Sequence, residues 1–303
     1  MQTETLSTQS RPGERPGAVP RCSGLAGAVL FASFALGLPL PLPGAELNLR
    51  VPDLPKEVGQ SVAVDISGLP RGARKLELVR VPGRGEVKPF LIGRYEVTQG
   101  QYEAVMRTNP CAFRYGPNHP AEMMSWNDAK DFCAQLNAAL PGRPQGKLTF
   151  RLPTDAEWSL AVGLPEESGS TPSRKSKKIK DVYPWGTGWP PPTGAGNYGD
   201  ATAREKYGTN SWVSSIPGYQ DGYADTAAVG SFASNQFGIY DLGGNVWEWC
   251  EDWIDSAQKT RVCRGASWFD NNPGHILSSY RGRYPGIRNA ASGFRVVLEE
   301  ASP

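Results

Sequence analysis

Histidine is scarce in this chain: His119 and His275 are the only two among 303 residues. A site that holds a metal through several imidazoles, or a relay of serine, histidine and aspartate, is therefore hard to build. The chain also lacks an excess of either charge, since its formal net charge is +2. The composition thus indicates neither nucleic acid nor an anionic membrane as a partner.

Long helices are not expected, because the sequence contains 35 glycines and 27 prolines. Hydrophobic residues make up 39% and charged residues 20% of the chain, which is ordinary for a soluble globular protein. Nine tryptophans are many for this length. These numbers favour a loop-rich fold with short strands and a few large aromatic anchors.

An apolar run without charge occupies residues 24–38, which is too short for a comfortable transmembrane helix. Arginines precede this run, and small residues separate it from Glu46. This order predicts a secretory signal at residues 1–45 that is cleaved near Ala45, and hence a secreted, periplasmic or cell-surface protein. An uncleaved membrane anchor is the alternative, and only then would the protein stay at a membrane.

Four cysteines follow the predicted signal, and export would allow them to form disulfides. Cys250 and Cys263 lie on two predicted strands, so they would bridge if the strands pair and the two side chains face each other. Cys111 and Cys133 would then form the second pair. Buried free thiols are the alternative, and the sequence leaves both open.

Residues 46–86 contain two short predicted strands, SVAVDI and KLELVRV, and form an N-terminal β extension, a linker or the opening edge of the main domain. The main domain is expected at residues 87–300. Within it, Thr98 is the predicted cap of a helix QGQYEAVMRT. Ser125 is the predicted cap of WNDAKDFCAQLNAAL, with an approximate capping box, and Thr154 that of a third, short helix.

Large rings alternate with polar residues in VWEWCEDW and again in RVCRGASWF, which predicts two strands whose rings enter the core. Asn245 and Glu248 follow the glycine pair 243–244 and supply hard oxygens near that bend, as a calcium ion requires. A tight turn before a core strand is the alternative. Residues 165–180 carry a Lys/Arg cluster, which predicts a solvated insertion rather than a binding patch.

Nine segments occur here in one order: GRYEVTQGQY, MMSWNDAKDFC, FRLPTDAEW, YPWG, GNYGD, DGYADTAAVGSF, NQFGIYDLGGNVWEW, RVCRGASW and SGFRVV. Together they resemble the formylglycine-generating enzyme, or sulfatase-modifying factor, family over roughly residues 87–298. The resemblance implies an α+β, C-type-lectin-like fold. It would have a small twisted antiparallel sheet, two main helices and much irregular structure.

The resemblance also implies calcium as a structural cofactor at two sets of residues. The first set matches Asn197, Tyr198, Asp221 and Tyr223. The second set matches Asn245, Val246, Glu248 and the backbone of Cys250. The alternative is that these polar residues only cap turns.

Enzymes of that family oxidise a substrate cysteine to formylglycine with a copper-binding cysteine pair, which follows the strand that corresponds to RVCRGASW. The same segment here contains no cysteine, and Asp270 falls near the first position and residues 274–275 near the second. Without thiolates there is no soft ligand set for Cu(I) and no redox pair, so copper is not expected. A non-catalytic binding protein is therefore predicted. A formylglycine-type oxidoreductase, or another enzyme acting on a protein substrate, is the alternative.

The segment between Trp268 and Arg288 corresponds to the substrate groove of the family. Its aromatic, amide and guanidinium groups suit recognition of a peptide, protein or glycan ligand. The candidate ligand-binding residues are Trp268, Asp270, Asn271, His275, Tyr280, Arg283 and Tyr284. For Arg281 and Arg295, the alternative to ligand contact is a structural role. A related group diversifies the equivalent segment, which is a further possibility that one sequence leaves open.

Overall fold

Residues 46–140, 148–208 and 214–300 are those that the computed structural model describes. The predicted signal at 1–45, its cleavage point near Ala45 and the fifth cysteine, Cys22, lie outside these residues. Within the described ranges, no helix combines the length and the apolar character that crossing a bilayer requires.

The strands of the described residues are short, as the glycine and proline content predicts. They are β1 (Leu49–Arg50), β2 (Ser61–Ile66), β3 (Leu76–Val81), β4 (Phe90–Gly93), β5 (Leu148–Arg151), β6 (Val182–Tyr183), β7 (Gly186–Thr187), β8 (Trp247–Trp253), β9 (Arg261–Arg264), β10 (Gly282–Tyr284), β11 (Ser292–Gly293) and β12 (Val297–Glu300). The helices are α1 (Gln99–Met106), α2 (Trp126–Ala138), α3 (Asp155–Ala161), α4 (Pro172–Lys175), α5 (Ala201–Tyr207) and α6 (Pro273–Ile276).

These strands form a larger antiparallel sheet with the order β1-β2-β3-β4-β12-β5. Strands β2 and β3 of the N-terminal segment therefore belong to the same sheet as β4, and Val79 lies opposite Ile92. A second sheet has the order β10-β9-β8-β11, in which only the β8–β11 pair is parallel among the described strands. The expected α+β, loop-rich architecture is confirmed.

The three predicted helix caps are confirmed. Thr98, Ser125 and Thr154 each accept a hydrogen bond from the third residue of their helix, and the side chain of that residue bonds back to the cap. This reciprocal arrangement satisfies backbone N–H groups that have no partner inside the first helical turn. Helix α2 ends at Ala138, two residues before the predicted end.

The prediction for the last strand pair was right for β8 and too long for β9. Strand β9 ends at Arg264, because Gly265 and Ala266 adopt positive φ angles of 95° and 66°. An extended strand cannot continue through such left-handed residues. The SWF sequence after them therefore lies in a turn region rather than on a strand.

Tryptophans are the predicted aromatic anchors, and four of them are almost completely buried: Trp158, Trp247, Trp249 and Trp268. Their indole N–H groups still need acceptors when they leave water. The Trp249 Nε1 donates to the Met124 carbonyl oxygen at 2.9 Å, and the Trp158 Nε1 donates to Glu248 Oε2 at 2.7 Å. These bonds join β8 to the start of α2 and to α3.

The suspected disulfides are not present. Cys111, Cys133, Cys250 and Cys263 are free and buried. Strands β8 and β9 do pair, but Trp249 is the residue that lies opposite Cys263. Since successive side chains of a strand point to opposite faces, Cys250 lies on the other face of the sheet from Cys263. The two cysteines therefore do not face each other, and buried free thiols, which were the alternative, are what the structure contains.

Candidate functional site

A buried cluster of charged side chains contacts the segment that follows β9. The guanidinium of Arg281 donates to both carboxylate oxygens of Asp155, from Nε and from Nη2, at 2.9 Å each. Arg264 also pairs with Asp155 and donates from Nη2 to the Ser278 carbonyl oxygen at 2.7 Å. Burial by itself raises the pKa of Asp155, but the two arginines outweigh it and hold the pKa below its usual value. Arg281 therefore has the structural role that was its alternative.

Asp270 closes a turn immediately after the left-handed residues. Its Oδ2 accepts hydrogen bonds from the Ser267 backbone N–H at 3.0 Å and from Ser267 Oγ at 2.7 Å. The other carboxylate oxygen, Oδ1, lies 3.8 Å from His275 Nδ1. Asp270 is buried, whereas the His275 side chain is 41% exposed. The two residues expected near the family's cysteine positions are thus brought together as a carboxylate–imidazole pair.

The imidazole of His275 stacks on the ring of Tyr280, with centroids 4.9 Å apart and planes inclined by 12°. Lys177 Nζ lies 4.8 Å from the centroid of the same tyrosine ring, which is within cation–π range. Burial raises the pKa of the Tyr280 hydroxyl, Asp270 raises it further, and Arg283 opposes them. Four chemically distinct side chains, those of His275, Lys177, Asp270 and Arg283, therefore lie around one half-buried tyrosine.

The other candidate ligand residues occupy different environments. Trp268 is almost fully buried and donates from Nε1 to the Ala290 carbonyl oxygen at 3.1 Å, so it supports the groove from inside. Asn271 is half-buried, and Arg283 is exposed on β10. Tyr284 lies on the same strand opposite Arg261, and its side chain is outside the described part of the structure.

Residues of the first predicted calcium set lie close together. Asp221 Oδ2 accepts from the Tyr198 N–H at 2.8 Å, and Oδ1 accepts from the Tyr223 N–H at 2.9 Å. Burial, with a contribution from the Asp200 carboxylate, raises the pKa of Asp221 to about 7. Asn197 is fully buried, and its Oδ1 has no hydrogen-bond partner among the described residues. An unpartnered amide oxygen and an uncompensated carboxylate are the donors that a hard cation requires.

The second predicted set has a different electrostatic balance. Both oxygens of Glu248 are engaged, because Arg295 donates to each of them and Trp158 donates to Oε2. Asn245 Oδ1 accepts from Asn197 Nδ2 at 3.1 Å and from the Ala227 N–H at 2.9 Å. The arginine therefore supplies the positive charge here, and a cation would have to share or displace it.

The remaining members of the second set contribute through the backbone. Val246 is fully buried, and its N–H donates to Glu96 Oε1 at 3.0 Å. The Cys250 carbonyl oxygen already accepts from Trp126 Nε1 at 3.0 Å. The oxygens of the second set therefore already have more hydrogen-bond partners within the protein than those of the first set.

Two acids beside the second set were missed from the sequence. Glu96 and Asp241 are both buried, and the Glu96 Oε2 accepts from Asn245 Nδ2 at 2.6 Å. Burial, reinforced by Asp241 and Glu248, raises the pKa of Glu96 well above its usual value. Burial also raises the pKa of Asp241 to about 6. The sequence around Glu96 did not indicate that this residue is buried. Its neighbours Tyr95 and Val97 are also buried, so an alternating pattern would predict an exposed Glu96.

A cavity of about 510 Å³ opens elsewhere, beside the YPWG segment. Its walls include Tyr183 and Trp185, whose rings stack at 4.8 Å, and Phe232. Asn235, also in the wall, is committed to structure because its Nδ2 donates to the Ala161 carbonyl oxygen at 2.6 Å. None of the candidate ligand residues lines this cavity.

Comparison with known proteins places this geometry in context. The family model of the sulfatase-modifying factor enzyme 1-like domain matches residues 69–300. The chain is 27% identical to a formylglycine-generating enzyme of Thermomonospora curvata, over 66% of this chain and 75% of that protein. It is 28% identical to the chaperone protein LppX of Paenibacillus barcinonensis, over 64% of this chain and 74% of that protein.

A third relative is an inactive C-alpha-formylglycine-generating enzyme 2 of Bos taurus, which is 32% identical over 61% of this chain and 52% of its own length. Among solved structures, PvdO from Pseudomonas aeruginosa superposes with a TM-score of 0.50 at 22% identity. That match covers 81% of this chain and 100% of the PvdO chain. At this identity the likeness concerns the fold alone.

Proposed function

The chain belongs to the family of sulfatase-modifying factor enzyme 1-like domains, and on that premise we propose that it is a non-catalytic member that binds a ligand or protein in its C-terminal groove. The family includes relatives named as active enzymes and relatives named as inactive ones. Family membership alone therefore does not indicate whether this chain is an enzyme, and the proposal depends on its own groove residues.

The observation that carries the proposal is the state of the thiols. Burial raises the pKa of Cys111 and of Cys133 to about 12, and it raises those of Cys250 and Cys263 well above the usual value. Thiolates are the species that bind Cu(I) and react with oxidants. In the groove itself, the resemblance places the Asp270–His275 pair where the enzymes have cysteines. A single carboxylate and a single imidazole are a poor site for Cu(I).

The alternative is a formylglycine-type oxidoreductase, or a divergent enzyme of the family, that acts on a protein substrate. The 27% identity to the Thermomonospora curvata enzyme favours it. The buried, protonated thiols oppose it, because oxidation of a substrate cysteine in this way needs a soft metal ligand set.

Calcium belongs to the proposal as a structural ion. The first set fits it: the unpartnered Asn197 Oδ1 and the buried Asp221 carboxylate would supply hard oxygens, together with the backbone of Tyr198 and Tyr223. When bound, the ion would neutralise the negative charge of Asp221. The second set fits less well, since Arg295 already neutralises Glu248.

We place the protein outside the cytoplasm, as secreted, periplasmic or surface-associated, on the strength of the sequence pattern at residues 1–45. An extracellular location is compatible with calcium, which is abundant there. The free thiols of the four described cysteines do not require an oxidising compartment, so they add no support.

Aldehyde formation tests the proposal directly. The purified protein is incubated with Cu(I), air and a cysteine-containing sulfatase peptide, and aldehyde is captured with a hydrazide and detected by mass spectrometry. We expect no aldehyde above the protein-free control, because the groove has no thiolate.

An active enzyme of the family serves as the positive control for that assay. The double variant Asp270→Cys with His275→Cys is the matched chain control, and it should gain Cu(I) binding that the wild type lacks. Aldehyde production by the wild-type protein would contradict the non-catalytic proposal and support the oxidoreductase.

A further inference from the structure

The basic segment at residues 174–180 carries five cations in seven residues: Arg174, Lys175, Lys177, Lys178 and Lys180. The sequence predicts a solvated insertion here, but the backbone is fixed against the groove. The Lys177 N–H donates to the Ser279 carbonyl oxygen at 2.9 Å, and Ser279 Oγ donates to the Ile179 carbonyl oxygen at 2.7 Å. The Arg281 N–H donates to Ser176 Oγ at 3.1 Å. The segment therefore forms one wall of the groove.

One cation of the segment adjoins the Tyr280 ring, and one cation of β10 contacts the segment. Lys177 Nζ lies 4.8 Å from its centroid. Arg283, on β10, donates from Nη2 to Ser173 Oγ at 2.9 Å, which ties that strand to the start of the basic segment. Since Ser173 lies in α4 and Lys177 follows that helix, the positive side chains of the segment and of β10 share one surface.

This positive charge is not compensated. Among the described residues, neither Arg283 nor any of the five cations of the segment forms an ion pair, whereas the buried Arg264 and Arg281 are neutralised by Asp155 and Glu167. Arg174, Lys178, Lys180 and Arg283 are exposed. The charge of Lys175 helps to lower the pKa of the buried Asp155, but that carboxylate is already paired with Arg264 and Arg281. Asp270 is buried behind His275, and Asp181 and Asp255 follow the segment and β8 in the sequence.

Strand β10 gives this surface a second property. It is the edge strand of the second sheet, with β9 as its only partner among the described strands. The outer side of an edge strand presents backbone N–H and C=O groups that an extended chain can pair with. A polysaccharide cannot complete such a ladder, so the edge favours a peptide over an anionic glycan.

We propose that the surface formed by residues 174–180 and β10 binds an acidic, extended peptide segment of a partner protein. This partner class rests on the proposed function of the groove as a binding site. Carboxylates of the peptide pair with Lys177, Lys178 and Arg283, and its backbone adds to the edge of β10. Alternate residues of an extended peptide face the same side, so a segment with glutamate at every second position presents all its carboxylates together.

The test uses the full-length protein and a fluorescein-labelled peptide in which glutamate alternates with threonine. Binding is followed by fluorescence anisotropy, with a peptide of glutamine and threonine as the uncharged control. The variant Lys178→Glu with Arg283→Glu reverses two exposed charges of the surface. The matched variant Lys56→Glu with Arg71→Glu reverses two exposed charges elsewhere and alters the net charge equally.

We expect the glutamate peptide to bind and the glutamine peptide not to bind. The Lys178/Arg283 variant should bind about tenfold more weakly or worse, because two attractions become repulsions. The Lys56/Arg71 variant should bind as the wild type does, and added salt should weaken the complex. Melting curves of both variants verify that they fold.

Three results would overturn the inference: no binding of the glutamate peptide, equal weakening by the two variants, or binding of dextran sulfate without binding of the peptide. None of these depends on the aldehyde assay. Absence of peptide binding therefore contradicts only the proposed partner class, whereas aldehyde formation contradicts the non-catalytic proposal.

Discussion

Replacement of Asp221 by asparagine separates a calcium ligand from a turn residue. The side chain keeps its shape, and an amide oxygen can still accept from the N–H of Tyr198 or Tyr223. What changes is the charge. If calcium binds at the first set, Asp221→Asn removes the carboxylate that the ion needs, together with the ionisation cost that this carboxylate bears when no ion is present.

The magnitude without calcium follows from the pKa of Asp221, which burial raises to about 7 from an ordinary value of 3.8. Because the folded pKa is the higher one, this group favours folding fully below the unfolded pKa and loses that contribution as pH rises through about 7. At pH 8 the cost is at most about 4 kcal/mol. In a chelator at pH 8, Asp221→Asn should therefore be at least as stable as the wild type.

With calcium the order reverses. An ion at a hundred times its dissociation constant stabilises the folded state by about 2.7 kcal/mol, which raises the melting temperature of a chain of this size by about 5–10 °C. The wild type should show this rise, and its loss of stability between about pH 4 and pH 7 should shrink. Asp221→Asn should lose most of the rise.

Differential scanning calorimetry in EGTA and in excess calcium, at pH 5 and pH 8, measures all four values. Asp53→Asn, an exposed aspartate in the N-terminal segment, is the matched control and should behave as the wild type does. A calcium shift of equal size in Asp221→Asn and wild type would place the ion elsewhere. No calcium shift in the wild type would remove calcium from the proposal altogether.

Two further substitutions test buried carboxylates. Glu248→Gln leaves the fully buried Arg295 without its ion-pair partner, and it should lower the free energy of unfolding measured in urea by about 3–5 kcal/mol. Glu300→Gln breaks an exposed pair with Arg80 and should lower that free energy by less than about 1 kcal/mol. Equal losses in the two variants would show that burial of the Glu248–Arg295 pair does not set its contribution. Glu122 is buried, and its Oε2 has no hydrogen-bond partner among the described residues. Burial raises the pKa of this carboxyl to about 7. The protonated group therefore favours the folded state below about pH 4.5, and this contribution is lost as pH rises through 7. Glu122→Gln should flatten this part of the stability–pH curve by at most about 3 kcal/mol, while Glu103→Gln on the exposed side of α1 should leave it unchanged, and an unaltered slope in Glu122→Gln would contradict the assignment.

Local signals in the sequence predicted the elements that form locally. Thr98, Ser125 and Thr154 mark helix starts because a cap and its third residue lie within one turn of chain. The strand SVAVDI appears as β2 with its predicted bounds. The rings of Trp247 and Trp249 on β8 enter the core as the alternating pattern predicts, whereas Trp253 at the end of the strand is only partly buried.

Register and burial of charge could not be predicted in this way. Trp249 rather than Cys250 lies opposite Cys263, and the β8–β9 pair also changes register between Trp249 and Trp253. The burial of Glu96 depends on Asn245 and Val246, about 150 residues away in the chain. The basic segment at 174–180 has the composition of a solvated loop, and only its hydrogen bonds to Ser279 and Arg281 show that it is fixed against the segment before β10.

The buried ion pairs hold the fold around this segment without using the two residues that the resemblance places at the family's cysteine positions. Arg295 bonds to Glu248 and also donates to the carbonyl oxygens of Gly93 and Tyr240, at 2.9 and 3.0 Å, so it joins β8 to β4 and to the loop before β8. Arg281 and Asp155 fix the far side of the groove in the same manner. The side chains of Asp270 and His275 take part in neither network. The buried charges therefore stay paired when Asp270 or His275 is replaced, while replacement of Asp270 removes the acceptor that closes the turn with Ser267.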